Sequence, residues 1–412
     1  MSTAFARAST LVPPLAIEAL FGAAADEPAV YWASGDRTVL GLGAVWQARA
    51  SGAARFSLLR EAARTLPAWA RVFAGFAFLP TGSEAMPDAW AVLPRVLIEH
   101  DGERTRVTLV GRDGLVSKAA LAETIAWLER AQATSAACAP EQVQDASAAD
   151  RAFCGLVNEA RAQIAAHCFD KVVVHAQTHL AVDHAPAAGP VLTRLAQTQA
   201  QATRYAFRVD GRVFLGATPE RLVRVRGDRV STEALAGSLP RVAGATAQQL
   251  RDSAKDREEH RITSDAIAAV LRARCADVRC NGPRVRTLPH LFHLHTAIGG
   301  RLRRPTHVLE LVDALHPTPA VSGAPLAAAL DFLATHEREP RNWYAAPIGW
   351  FRPGGDGDFA VALRCALLDH HRVTLYAGAG IVAGSRAERE LAEVHSKRRT
   401  MAEALGLEAA LS

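Results

Sequence analysis

The stretch VTLYAGAGIVAGS (373–385) runs without a break into RAERELAEVHSKRRTMAEAL (386–405). An apolar run reaches a glycine-rich segment, and polar residues at helical spacing follow at once, so the pattern predicts a strand, a turn and a helix. A turn of this kind sets backbone N–H groups and a helix N-terminus beside whatever lies above it, which suits an anion. Glu390 and Glu393 are three apart and Lys397 is four further on, so all three share one helix face. Upstream lie two more strand-like runs, YAAPIGWF from Tyr344 and FAVALRCALL (359–368), the second carrying Arg364. A strand arginine, an N–H cradle and a carboxylate pair with a lysine read together as a site for a small polyanion and a hard metal ion. Singly, the pieces have plainer readings. Glu393 and Lys397 have the spacing of an ordinary surface pair, and GAGIVAG has the form of a dinucleotide-binding turn. The dinucleotide reading needs a second strand with an acidic residue about 20 positions on; here one helix carries the chain to Ser412.

At 412 residues the chain has room for one large domain or two to three ordinary ones. A hydrophobic share of 49 % with 22 % charged residues is that of a soluble globular protein with a sizeable core. The net charge of +5 is mild and its basic residues are spread out, so no nucleic-acid partner is expected. No apolar run reaches the ~18 residues of a membrane span. Two prolines and Glu18 interrupt LVPPLAIEALFGAAA near the N-terminus, so neither a signal peptide nor an anchor is expected. Cys138, Cys154, Cys168, Cys275, Cys280 and Cys365 form no paired framework, which predicts free thiols and a cytoplasmic location.

Residues 1–135 give mostly strand and hairpin signals, among them AVYWASGDRTVLGLGAV and RVLIEHDGERTRVTLV, then a helix over 118–133. The Ala- and Ser-rich segment 134–149 is the most linker-like. A helix over 149–167 follows, with Phe153, Val157, Ala160 and Ile164 on one face. Next come a buried strand Lys171–Val174, a helix over 188–202 and a series of hairpins that includes LVRVRGDRVST. A long helix over 246–274, strands near 284–298 and helices near 307–313 and 324–336 complete the chain. Hairpins mixed with helices, without regular βαβ units, argue for an α+β sandwich of antiparallel sheets.

Several residues stand out for their chemistry. Lys171 opens the apolar strand KVVVHA, and desolvation there favours the uncharged amine that a base requires; the plain alternative is a lysine reaching out from a strand end. Glu220 ends FLGATPE, where a strand meets a Thr-Pro turn. ALAGS (234–238) sets Gly237 and Ser238 at another strand-to-turn step. Within KDREEHRITSDAIAAV (255–270), Glu259 falls in register with Ile262, Ala266 and Val270, a core-facing row, while Glu258 points elsewhere. A buried carboxylate needs a cation, a hydrogen-bond network or a proton. With Glu393 as partner it suits Mg2+. His290, His293 and His295 hint at zinc, but no fourth ligand is indicated, and hydrogen-bonded core roles are the stronger reading.

In order, FLGATPE, LAGS, KDREEH, HLHTAIGG, HPTPAVSG (316–323), YAAPIGW, ALRCA, LYAGAGIVAGS and the final E-x-x-E-x-x-x-K resemble the chorismate-utilising enzymes, and among them the isochorismate synthases. The resemblance is dense over 150–408 and loose before it. It implies one large α+β sandwich of antiparallel sheets flanked by helices, residues 1–147 forming its N-terminal part and 148–412 the chorismate-binding catalytic region. By position it implies Lys171 as the base that activates water and Glu220 as the acid that protonates the departing hydroxyl. Glu259 and Glu393 would hold Mg2+, which clamps the ring carboxylate. Tyr344 and Arg364 would bind the pyruvyl carboxylate. Gly237, Ser238, Gly378 and Gly380 would meet the substrate along the backbone, with Lys397 and His293 beside it. Lys171 separates the chain from ammonia-using anthranilate synthases, and Ala236 stands where aminodeoxychorismate synthases carry a nucleophilic lysine. Both favour water as nucleophile. A salicylate synthase, which goes on to eliminate pyruvate, and a non-catalytic chorismate-binding homologue are the alternatives. Ala176 and Ala346 depart from the family's usual Arg and Gly, and EVHSK (393–397), which brings His395 close to the metal-binding helix, departs from its E-T-x-x-K. The resemblance further implies a monomer and a product destined for menaquinone or siderophore biosynthesis.

Overall fold

The computed structural model describes residues 5–23, 27–112, 115–131, 146–241 and 244–407. The first third gives β1 (Phe5–Val12), α1 (Ile17–Leu20), β2 (Ala29–Ser34), β3 (Arg37–Leu42), β4 (Trp46–Ala50), α2 (Arg55–Ala63), β5 (Val72–Phe76), β6 (Ala89–Leu93), β7 (Val96–His100), β8 (Thr105–Arg112) and α3 (Lys118–Ala131). The middle gives α4 (Ala146–Ala165), β9 (Lys171–Ala181), α5 (Ala188–Thr198), β10 (Thr203–Val209), β11 (Arg212–Thr218), β12 (Arg221–Arg226) and β13 (Arg229–Pro240). Then come α6 (Ala247–Asp252), α7 (Ala254–Arg272), β14 (Cys275–Thr287), β15 (Leu291–Leu302), α8 (Val308–Leu315), β16 (Gly323–Ala324) and α9 (Leu326–His336). The last stretch holds β17 (Pro347–Phe351), β18 (Gly357–Val361), β19 (Cys365–Asp369), β20 (Arg372–Ile381) and α10 (Ala387–Leu405).

Two antiparallel sheets organise the chain. One has eleven strands in the order β1-β8-β7-β3-β2-β10-β11-β19-β20-β9-β16, the other nine in the order β14-β15-β13-β12-β18-β17-β5-β6-β4. Strands from the first 147 residues occupy one end of each sheet, joined to the rest through β2 against β10 and β5 against β17. This is the α+β sandwich that the hairpin pattern predicts. Alternation along β2 explains the layering. Val30 and Trp32 enter a core shared by both sheets, with Phe73, Trp90, Phe207, Trp343 and Phe359. Ala29, Tyr31 and Ala33 point the other way, into a second core with Leu20, Leu192, Leu375 and Met401 beneath α1, α5 and α10. Trp343 packs edge-on against Phe207 and Phe214, with ring centroids 5.9 and 6.0 Å apart. Each such fully buried side chain contributes about 1.5–3 kcal/mol by leaving water.

The structure departs from the sequence reading in several places. The helix over 246–274 is broken at Ser253, whose extended backbone ends α6 and whose hydroxyl accepts from the Asp256 N–H to cap α7. The helix near 188–202 stops at Thr198, and the strand from Lys171 runs on to Ala181. Gly378 and Gly380 lie inside β20 rather than in a turn; the turn spans 382–386. The linker-like segment falls outside the described residues as far as 145 and is helical in α4 from 146 on. Within α4 the expected face of Phe153, Val157, Ala160 and Ile164 is buried. The five described cysteines are free; Cys138 lies outside the described residues. Among the described residues no helix is long and apolar enough to cross a membrane.

Candidate active site

Between the sheets and the helices α7 and α10 lies a cavity of about 50 Å³. Glu220, Ala236, Gly237, Ser238, Glu259, His293, Tyr344, Arg364, Gly378, Gly380, Glu393 and Lys397 all line it, twelve of the thirteen residues that the sequence singles out. The thirteenth, Lys171, stands directly behind Glu259. The sequence reading missed Val173, Pro219, Leu235, Ala320, Val321 and Leu363, which also line the cavity. These apolar residues carry no chemical signature, although each sits within a few positions of a residue that does. The volume is well below the ~300–1,000 Å³ usual for ligand pockets, and side chains that bond to one another fill the remainder.

Lys171, the first residue of β9, is fully buried. Its Nζ donates to Glu259 Oε1 at 3.0 Å. To serve as a base the amine must be uncharged and turn its lone pair to water, and one of its two remaining N–H groups can keep this bond. Glu259 reaches it from α7, although the buried row of that helix is Asp256, Glu259–His260, Thr263, Ile267 and Leu271. Ile262, Ala266 and Val270 sit half-buried on its flank, which corrects the row read from the sequence. Burial raises the Glu259 carboxyl, but Lys171 and Lys255 outweigh it and hold the group below its ordinary range. A Cβ on Gly380 would stand 2.3 Å from Glu259 Oε1 and 3.2 Å from Lys171 Cε, so the pair needs a glycine across from it.

Glu393 and Lys397 on α10 are not the surface pair their spacing allows. Their side chains are 10 % and 14 % exposed and 2.5 Å apart, and Lys397 also donates to the Gly378 carbonyl at 2.7 Å. Next to them Lys255 pairs with the buried Glu390 at 2.8 Å. Burial and the charge of Glu393 raise the Glu390 carboxyl. Two carboxylates from different helices thus face one cavity, each neutralised by a lysine, and their hard oxygen donors fit Mg2+. Among the described residues no group of three or more His, Cys, Asp and Glu is gathered for a metal. An ion held by Glu259 and Glu393 would therefore complete its shell with water and ligand oxygens, as Mg2+ commonly does. The histidines offer no zinc set: His293 faces Ser238, His295 faces Glu233 and His290 faces Glu403. His395 turns outward to Asp150.

Glu220 sits in the turn between β11 and β12 and is 3 % exposed. Burial, and then the charge of Glu233, push its carboxyl up to about 8, against Lys171, Arg364 and Lys397. It is therefore a protonated carboxylic acid near neutral pH, a group able to donate.

Opposite lies an anion-seeking end. Arg364 has φ 50°, in the left-handed region that a non-glycine residue adopts at some cost. Its Nη2 donates to His293 Nε2 at 3.2 Å, which places the imidazole proton on Nδ1, 2.9 Å from Ser238 Oγ. Burial, with Arg364 and Lys397 nearby, holds His293 well below its ordinary range, so it stays neutral. Arg364 itself makes no ion pair among the described residues, and its burial favours pairing with an incoming anion. Tyr344, stacked on Tyr376 at 5.5 Å, shares this end. The two strand glycines complete it. Val173 and His175 send their N–H groups to Ser322 and Glu337, so across the antiparallel pair Gly380 and Gly378 turn theirs the other way. β19, the neighbour on that side, ends at Cys365 opposite Tyr376, which leaves these backbone groups facing the cavity. Gly237, at φ 75°, lets α7 approach, since a Cβ there would stand 2.8 Å from the Asp256 carbonyl oxygen.

Residues 3–406 match the family described as chorismate binding enzyme. The chain is 35 % identical to the "Salicylate biosynthesis isochorismate synthase" of Pseudomonas aeruginosa, over 97 % of this chain and 89 % of that one. It is 36 % identical to the isochorismate synthase DhbC of Bacillus subtilis, over 61 % of this chain and 67 % of that one. Among solved structures, a putative 2,3-dihydroxybenzoate-specific isochorismate synthase from Bacillus anthracis superposes with TM-score 0.76 at 27 % identity, covering 93 % of this chain and 97 % of that one.

Proposed function

This chain belongs to the chorismate binding enzymes, and we propose that it interconverts chorismate and isochorismate by a Mg2+-dependent exchange of hydroxyl position. The observation that carries this reading is a cavity with the buried carboxyl of Glu220 in its wall and the buried amine of Lys171 standing behind Glu259. Lys171 takes a proton from water, and the hydroxide equivalent adds to ring carbon 2. The ring double bonds shift, and the hydroxyl on ring carbon 4 departs as water with the proton of Glu220. One water enters and one leaves, so the step is an isomerisation, and return of a proton from Lys171 to Glu220 resets the pair. Arg364, with Tyr344, holds the pyruvyl carboxylate; its fork can grip both oxygens. The backbone of Gly237, Gly378 and Gly380, with Ser238, His293 and Lys397, orients the ring. Glu259 and Glu393 would hold Mg2+, whose charge clamps the ring carboxylate when bound.

Ala236 leaves no amine to attack the ring, and Lys171 provides a base for water, so hydroxyl transfer is favoured over amination. Chromatography of a reaction with chorismate and Mg2+ tests the reading. Isochorismate as sole product supports it. Salicylate with pyruvate would indicate a further elimination, and unchanged chorismate would indicate a binding protein.

A further inference from the structure

Glu220 lies between Pro219 and Arg221, and one ion pair from the neighbouring strands holds both. Arg286 on β14 donates through Nη1 to the Pro219 carbonyl at 2.9 Å and through Nη2 to Glu233 Oε2 at 2.8 Å. Glu233 on β13 accepts from the Arg221 backbone N–H through Oε1 at 2.7 Å. His295 on β15 brings Nε2 to 2.8 Å from the same Glu233 Oε2. The sheet ladder adds one bond, from the Val361 N–H to the Glu220 carbonyl at 3.1 Å, before the pairing of β12 with β18 slips between Arg221 and Val223. The peptide units before and after Glu220 are thus pinned to the two ends of the Arg286–Glu233 bridge.

We propose that Glu233 is a positioning residue for the acid step, holding with Arg286 the Pro219–Arg221 turn that aims the Glu220 carboxyl into the cavity. This rests on the acid role given to Glu220 above. Glu233 also acts through space. Of the four charges that act most strongly on Glu220, Lys171 from β9, Arg364 from the β18–β19 turn and Lys397 from α10 favour its ionised form, and only Glu233 opposes them. Glu259, Glu393, His293 and Tyr344 face the same cavity, and Arg286 and His295 stand behind Glu233. Glu233 itself is held at about 2, because His295, Arg286 and the Arg221 N–H outweigh its burial, so its charge is present throughout the working range.

The test compares kcat against pH for the full chain with chorismate and Mg2+, in the native protein and in Glu233→Gln, Glu233→Asp and Glu220→Gln. The acid must be protonated to work, so turnover falls as pH rises through its pKa. Glu233→Gln keeps an acceptor for Arg221 but removes the charge, and the alkaline limb is expected about one pH unit lower, with KM changed less than about twofold. Glu233→Asp keeps the charge on a shorter arm, so the limb stays in place while kcat falls on the order of tenfold through misplacement. Superimposable limbs in Glu233→Gln and the native protein would overturn the proposal. If the Gln variant does not fold, an Asp variant with native kcat does so instead. Turnover that survives in Glu220→Gln would remove the acid assignment itself; its loss, with the Gln limb unmoved, removes only the role of Glu233.

Discussion

The strands β13 and β15 each run through two charged regions that behave differently. At one end Gly237, Ser238 and His293 close over the cavity with Lys171, Glu220 and Glu259. At the other, Arg224, Arg226, Arg229, Arg279 and Arg301 surround an open trough of about 900 Å³ floored by Ser231, Ala297 and Gly299. The trough holds more charge, yet its outer side chains stay in water: Arg279 is 83 % exposed and lies 4.0 Å from Asp277. Exposed pairs of this sort contribute ~0–1 kcal/mol and leave their members chemically ordinary. In the cavity, fewer charges are desolvated, and a glutamic acid keeps its proton to about pH 8. Burial with a limited set of partners, rather than the number of charges, makes a site reactive. Glu233 and Arg286 lie at the seam, lining the trough while gripping the turn that carries Glu220.

Several changes would break or sharpen this contrast. The largest effect is expected from Lys171→Ala, which should lower turnover by about 10²–10⁴-fold while chorismate still binds; rate and equilibrium binding measured on one preparation separate the two. Next comes stability. The folded-state pKa of Glu220, about 8, lies above its ordinary 4.5, so its contribution is fully present below about 4.5 and is lost as pH rises through 8. Glu220→Gln removes that loss. In urea unfolding at pH 6 and pH 9, the native protein should weaken between the two by on the order of a few kcal/mol and the variant should not. The variant would then be more stable than the native protein in alkali and inactive, as expected where function is built on strain. Gly380→Ala would crowd the far end of Glu259, with a smaller result: turnover about tenfold lower, a higher Mg2+ requirement, and little change in Tm. Arg279→Gln in the trough should alter turnover less than twofold and stability by under about 0.5 kcal/mol, which steady-state rates and a thermal melt would show.

Much of the cavity was legible because its residues are chemically distinctive and sit in ordered motifs. Lys171 at a strand start and Glu393 with Lys397 on one helix face can be read from spacing. What spacing could not show was depth. Glu393 and Lys397 look like a solvated pair until α10 is seen packed against β20, and α7 takes its buried row from tertiary packing rather than from Ile262, Ala266 and Val270. The break at Ser253 was written as a Ser-x-x-Asp cap but lay within a continuous helical pattern. Gly378 and Gly380 read as a turn because glycine usually marks one; here a missing Cβ lets Glu259 and Tyr344 approach a strand. The bridge from Arg286 to Glu233 joins residues 53 positions apart, and no local pattern announces it.

The central claim is that water supplies the new hydroxyl while the old one leaves protonated by Glu220. Conversion of chorismate with Mg2+ in oxygen-18 water, followed by mass spectrometry of the separated product, tests it most directly. Isochorismate carrying one heavy oxygen at ring carbon 2, formed by the native chain and not by Glu220→Gln, is the predicted result. Unlabelled isochorismate, or equal turnover by the Gln variant, would contradict it.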